Sequence, residues 1–69
     1  MKKRNTHRTR KVIDGFRMKK QLHGGFKIVE YSHFEKNGYA ITEIRKRTLY
    51  KDLPMTDAEA KLYELELLL

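Results

Sequence analysis

Asn37-Gly38 separates two runs, FKIVEYSHF and YAITEIRKRTLY, that are rich in β-branched and aromatic residues. Asn followed by Gly takes the positive φ angles of a two-residue hairpin turn, and the flanking residues suit a pleated, half-buried surface. The pair therefore predicts an antiparallel hairpin whose register the turn sets. Lys36 falls opposite Tyr39, Phe34 opposite Ile41, Ser32 opposite Glu43 and Glu30 opposite Arg45. The last is an opposite-charge cross-strand pair, which adds modest support.

Asp14-Gly15 and Gly24-Gly25 carry the same turn chemistry. Taken as two-residue turns, they extend the hairpin into a meander of three or four strands. The segment FRMKKQLH, residues 16–23, fits two readings. As a strand it alternates, with Phe16, Met18 and Leu22 on one face. As a helix it runs from Asp14 to a stop at Gly24, with Met18 and Leu22 one turn apart and good helix formers between them. The regular spacing of the turns favours the strand, and the helix stays open.

After Pro54 the pattern changes. LPMTDAEAKLYELELLL predicts a helix, with Thr56 as N-cap, Glu59 at the capping-box spacing and Met55 placed to staple onto Ala60. Asp57 and Glu59 complement the helix dipole in the first turn. Ala58, Leu62, Leu65 and Leu69 form one apolar stripe, while Ala60, Tyr63 and Leu67 form a second on nearly the opposite side. A second stripe is either exposed apolar surface or an interface, and the terminal Leu67-Leu68-Leu69 favours the interface.

The fold class expected is thus α+β: a small antiparallel meander covered on one face by a C-terminal helix. The chain of 69 residues makes one domain, and one of this size buries only about 60% of its unfolded surface. With no cysteine, neither disulfides nor thiolate metal sites supply extra stability. No apolar run is long enough to span a membrane, and no apolar stretch of a secretory signal follows the basic N-terminus. A cytoplasmic protein without cofactor, metal or small-molecule substrate is the expectation.

The net charge of +7 is unevenly spread: +6 over residues 1–11, +4 over 12–52 and −3 over 53–69. Residues 1–10 lack periodicity and predict a basic mobile arm ahead of a domain at 11–69, although Thr6 and Thr9 suit a strand. Such polarity suits a polyanionic partner, DNA or RNA. The expected meander sorts its side chains into two faces. Ile13, Phe16, Met18, Leu22, Val29, Tyr31, His33, Ala40, Ile44 and Tyr50 make a floor for the helix, with Lys46 at its rim. Arg8, Arg10, Arg17, Lys19, Arg45 and Arg47 share the other face with Phe26, Ile28, Phe34, Tyr39 and Ile41. Cations that track phosphates, interleaved with rings that stack on bases, are what single-stranded nucleic acid needs. The candidate nucleic-acid-binding residues are accordingly Arg8, Arg10, Arg17, Lys19, Phe26, Phe34, Tyr39, Arg45 and Arg47. Arg47 stands out among them because its expected partner, Ile28, offers no acid.

Catalytic chemistry finds little purchase. Of His7, His23 and His33, only His33, beside Glu35, resembles an acid–base pair, and no phosphate-cradling glycine loop is present. A non-enzymatic nucleic-acid-binding protein is the first expectation. The second is a small adaptor or inhibitor that acts on a nucleic-acid-handling protein, or pairs with its own copy, through Tyr63, Leu67 and Leu68 on the helix.

Overall fold

Asn37 and Gly38 make the hairpin turn, with φ angles of 56° and 84°. The computed structural model describes residues 9–69. Strand β1 (Thr9–Lys20) pairs antiparallel with the central strand β2 (Phe26–Lys36). The other edge of β2 is taken by β3 (Tyr39–Ala40) and then by β4 (Arg45–Leu53). Helix α1 (Met55–Leu67) packs against β1 and β2. The architecture is the four-stranded antiparallel sheet with one C-terminal helix that the sequence predicts. Strand β1 already includes Thr9 and Arg10, the last two residues of the expected arm.

Three expectations about the strands change. Residues 16–20 are strand, so the helical reading of 16–23 falls. Asp14-Gly15 is not a turn: it interrupts the β1–β2 ladder as a bulge between Ile13, opposite Ser32, and Gly15, opposite Tyr31. Gly24-Gly25 belongs to a longer loop between Lys20 and Phe26, closed by Gln21 N–H donating to Gly25 O at 3.0 Å and Gly24 N–H donating to Gln21 O at 3.3 Å. Together these changes move β1 against β2 by an odd number of residues. Because side chains alternate along a strand, an odd shift turns Phe16 and Met18 over. They lie opposite Glu30 and Ile28, on the face that was expected to lack the helix.

The third strand also differs. Ser32 faces Arg45 and Glu30 faces Arg47, a slip of two from the expected register. Residues 41–44 absorb it. Ile41 N–H donates to Phe34 O at 2.9 Å, and Phe34 N–H donates to Thr42 Oγ1 at 2.9 Å, so the hydroxyl takes the place of a ladder carbonyl. A slip of two keeps each side chain on its face.

Ile28 and Val29 of β2 and Ala58 of α1 are the buried apolar core among the described residues. Lys61 Nζ lies 5.1 Å above the ring of Tyr50, which pairs with Ile28. Phe16, Arg17, Met18 and Tyr31 share a hollow with Leu62, Glu66 and Leu69 of α1. Ile13 and Tyr50 lie on the Ile28 side of the sheet, whereas Val29, Tyr31 and His33 lie on the other side, and Leu22 and Ile44 are exposed. The helix starts without the expected capping box. Pro54, extended at φ −60° and ψ 155°, occupies the N-cap and accepts the Ala58 N–H at 2.9 Å, which places Thr56 inside the first turn. A proline that has no N–H to leave unpaired suits such a start. The second stripe is bare: Tyr63 and Leu67 are each 66% exposed and Leu68 is 81% exposed.

Candidate nucleic-acid interface

The face of the sheet opposite Ile28 carries a group of basic residues. Alternation along β2 puts Lys27, Val29, Tyr31, His33 and Glu35 there. Pairing adds Arg10, Arg17 and Lys19 from β1 and Lys46 and Thr48 from β4. Val29 is nevertheless buried, because long neighbours close over a short side chain.

Tyr31 sits at the middle of this face. Lys46 is directly across from it on β4, and Lys19 Nζ lies 5.8 Å from its ring centroid. The phenol is held below its ordinary value of 10.0, first by a hydrogen bond from Lys19. Burial works against that shift, and the charges of Lys19, Lys46 and Arg17 add to it. The tyrosine thus senses a locally positive field from three cations on two strands. Among the described residues, Arg17, Lys19, Lys27 and Lys46 make no ion pair. Glu66 of α1 lines the same hollow as Arg17 and Tyr31.

Toward the hairpin tip the same face is neutralised. His33 Nδ1 stands 2.8 Å from Asp14 Oδ2, and its Nε2 stands 3.0 Å from Glu35 Oε2. Two carboxylate neighbours require both ring nitrogens to donate, so the imidazole carries its proton. Its pKa is raised above 6.5, chiefly by the Asp14 hydrogen bond and then by Glu35, against a smaller burial effect. Arg10 adds a long 3.9 Å contact to Glu35. The cluster ties the bulge in β1 to the central strand. The expected neighbours His33 and Glu35 are therefore joined by Asp14, which a turn at Asp14-Gly15 would have taken out of the sheet.

The expected site residues divide between the two faces. Arg10, Arg17 and Lys19 lie on the Tyr31 face; Phe26, Phe34, Tyr39, Arg45 and Arg47 lie on the Ile28 face. Arg8 lies outside the described residues. On the Ile28 face, Arg45 stacks 5.9 Å from the Phe34 ring, Tyr39 is 76% exposed and Phe26 is half-buried. Arg47 does face an acid across the ladder, Glu30, which corrects its expected partner. Glu30 itself is buried, and Lys11 Nζ reaches its Oε1 at 2.9 Å. That approach is off the line of a hydrogen bond, so the oxygen makes an ion pair but no directed bond.

Lys27, Tyr31 and Lys46 were not expected in the site. The signal for them was present in the alternation of β2, but the pairing between distant strands decided which side chains share their face. Among the described residues, no group of three or more His, Asp and Glu side chains could hold a metal ion, and no helix is long and apolar enough to cross a membrane. No protein-family model matches this sequence, and no match to it was found among curated proteins or solved structures.

Proposed function

We propose that this protein binds nucleic acid, without catalysing a reaction, through the exposed cations of the Tyr31 face. The observation that carries the reading is the group of unpaired cations Arg17, Lys19 and Lys46 around Tyr31. Cations without acid partners are free to exchange counterions for phosphates, and that release drives association. The basic residues Lys2, Lys3, Arg4 and Arg8 precede β1 in the chain and add to the same attraction. Fluorescence anisotropy with labelled DNA and RNA at low salt tests the reading. Binding is expected to fall steeply as salt rises, and an absence of binding to every nucleic acid at low salt would sink it.

A second reading rests on the bare outer stripe of α1. Tyr63, Leu67 and Leu68 expose apolar surface along one side of the helix, which suits a protein partner or a second copy of this chain. Sedimentation velocity distinguishes the self-association form: a dimer that Leu67→Glu converts to monomer supports it, and a monomer at all concentrations refutes it.

A further inference from the structure

One residue within β1 has no partner in the ladder. Ile13 lies opposite Ser32 and Gly15 opposite Tyr31, so Asp14 is the extra residue of the bulge. Its tether is its side chain. Asp14 Oδ2 stands 2.8 Å from His33 Nδ1, and Glu35 Oε2 stands 3.0 Å from the other ring nitrogen. The imidazole is only 14% exposed, so water replaces little of what the two carboxylates supply.

Holding both carboxylates takes two N–H donors, which only the protonated ring has. A neutral ring keeps one donor and turns a lone pair toward the other carboxylate. Whichever nitrogen keeps its proton, Asp14 loses the stronger bond that a charged donor makes. The His33 pKa is raised above 6.5, so the proton leaves on the alkaline side of that value.

The two halves of β1 are not held alike. Phe16 and Met18, beyond the bulge, share the hollow with Leu62 and Leu69 of α1. Thr9, Arg10 and Lys11 are exposed, and Val12 and Ile13 are half-buried. Side-chain ties from this first half to β2 are Lys11 to Glu30 at 2.9 Å and the long 3.9 Å contact of Arg10 to Glu35. The second of these runs through a partner of His33. Segments with few buried apolar contacts are the ones that open locally. The charged and titratable groups that share the side of His33 are Arg10 and Arg17 of β1, Tyr31 of β2 and Lys46 of β4, with Glu66 of α1 in the hollow beside Asp14. Tyr31, whose phenol is held below 10.0, is the one to control for as pH rises.

We infer that His33 is a proton-operated latch on β1. While the imidazolium holds Asp14 and Glu35 together, the strand stays paired from Thr9 onward. Once the ring is neutral, the bulge is released and residues 9–13 open, leaving residues 16–20 in the ladder.

The test is NMR on the full chain from about pH 5 to about pH 9, with the His33 ring protons reporting its charge and the Cα shifts reporting strand. As the ring loses its proton, Val12 and Ile13 are expected to move from strand to coil values, while Met18 and Lys19 hold theirs. Asp14→Asn is expected to lower the His33 midpoint by about one pH unit and to carry the Val12 change down with it. His33→Gln is expected to abolish the change, and Tyr31→Phe to leave it in place. Strand values at Val12 and Ile13 after the ring is neutral, or loss of both halves together, would overturn the latch in the native chain alone. So would an unmoved His33 midpoint in Asp14→Asn, a step that persists in His33→Gln, or one that vanishes in Tyr31→Phe.

Discussion

Replacing Ile28 with Ala tests the closed core of the domain. Ile28 is fully buried in the central strand, opposite Met18 on one side and Tyr50 on the other. Removing carbons from such a site costs about 0.8 kcal/mol for each, or about 2.4 kcal/mol in all. The hole left behind adds to this, and measured Ile-to-Ala destabilisation runs about 2–5 kcal/mol. The neighbours that would have to collapse are a fully buried Ala58 and ladder-held strands, so relief is limited and about 3 kcal/mol is expected. A domain of this length has a total stability of roughly 3–10 kcal/mol. The variant should therefore melt about 12–24 °C lower, or be partly unfolded at room temperature. Thermal and urea unfolding followed by circular dichroism give the number. A cost under about 1 kcal/mol would refute the placement of Ile28 in a closed core.

Three further outcomes follow from particular side chains and one glycine. His33 has a raised pKa in the folded chain, so its contribution to stability is fully present below its ordinary value of 6.5 and disappears as pH rises through the folded-state value. Melting temperature measured between pH 5 and 9 should fall over that upper window in the native chain, and His33→Gln should flatten the step; an unchanged step would place its origin elsewhere. Gly25 has φ of 77°, and a Cβ there would stand 3.3 Å from the Asp52 Cα, so Gly25→Ala should cost about 1 kcal/mol or more in urea unfolding. Lys11→Met leaves the buried Glu30 carboxylate without its ion pair and should cost about 1–3 kcal/mol, most of it recovered in the double variant with Glu30→Met; a double variant no better than the single would show that the ammonium was not what the carboxylate needed.

Much of the architecture was legible in the residues because local chemistry enforces it. Asn37-Gly38 can hardly avoid its turn, β2 alternates over its full length, and Pro54 followed by a run of helix formers stops a strand and starts a helix. The α+β class follows from those signals. The capping box failed for a local reason: Pro54 already supplied the extended residue and acceptor that a cap requires.

What the chain could not reveal locally was parity. Asp-Gly is compatible with a turn or a bulge, and the choice depends on whether β1 gains more by continuing along β2 than by folding back. It continues, because Arg17 to Lys20 find ladder partners in Val29 to Phe26. The five residues between Lys20 and Phe26, where a two-residue turn was expected, turn Phe16 and Met18 over to join Ile28 and divide the expected basic surface. Alternation, charge and turn propensity are properties of residues and their near neighbours, and the sequence alone determines them. Which side chains share a face is a property of the pairing between distant strands, where a connection longer by three residues exchanges one face for the other.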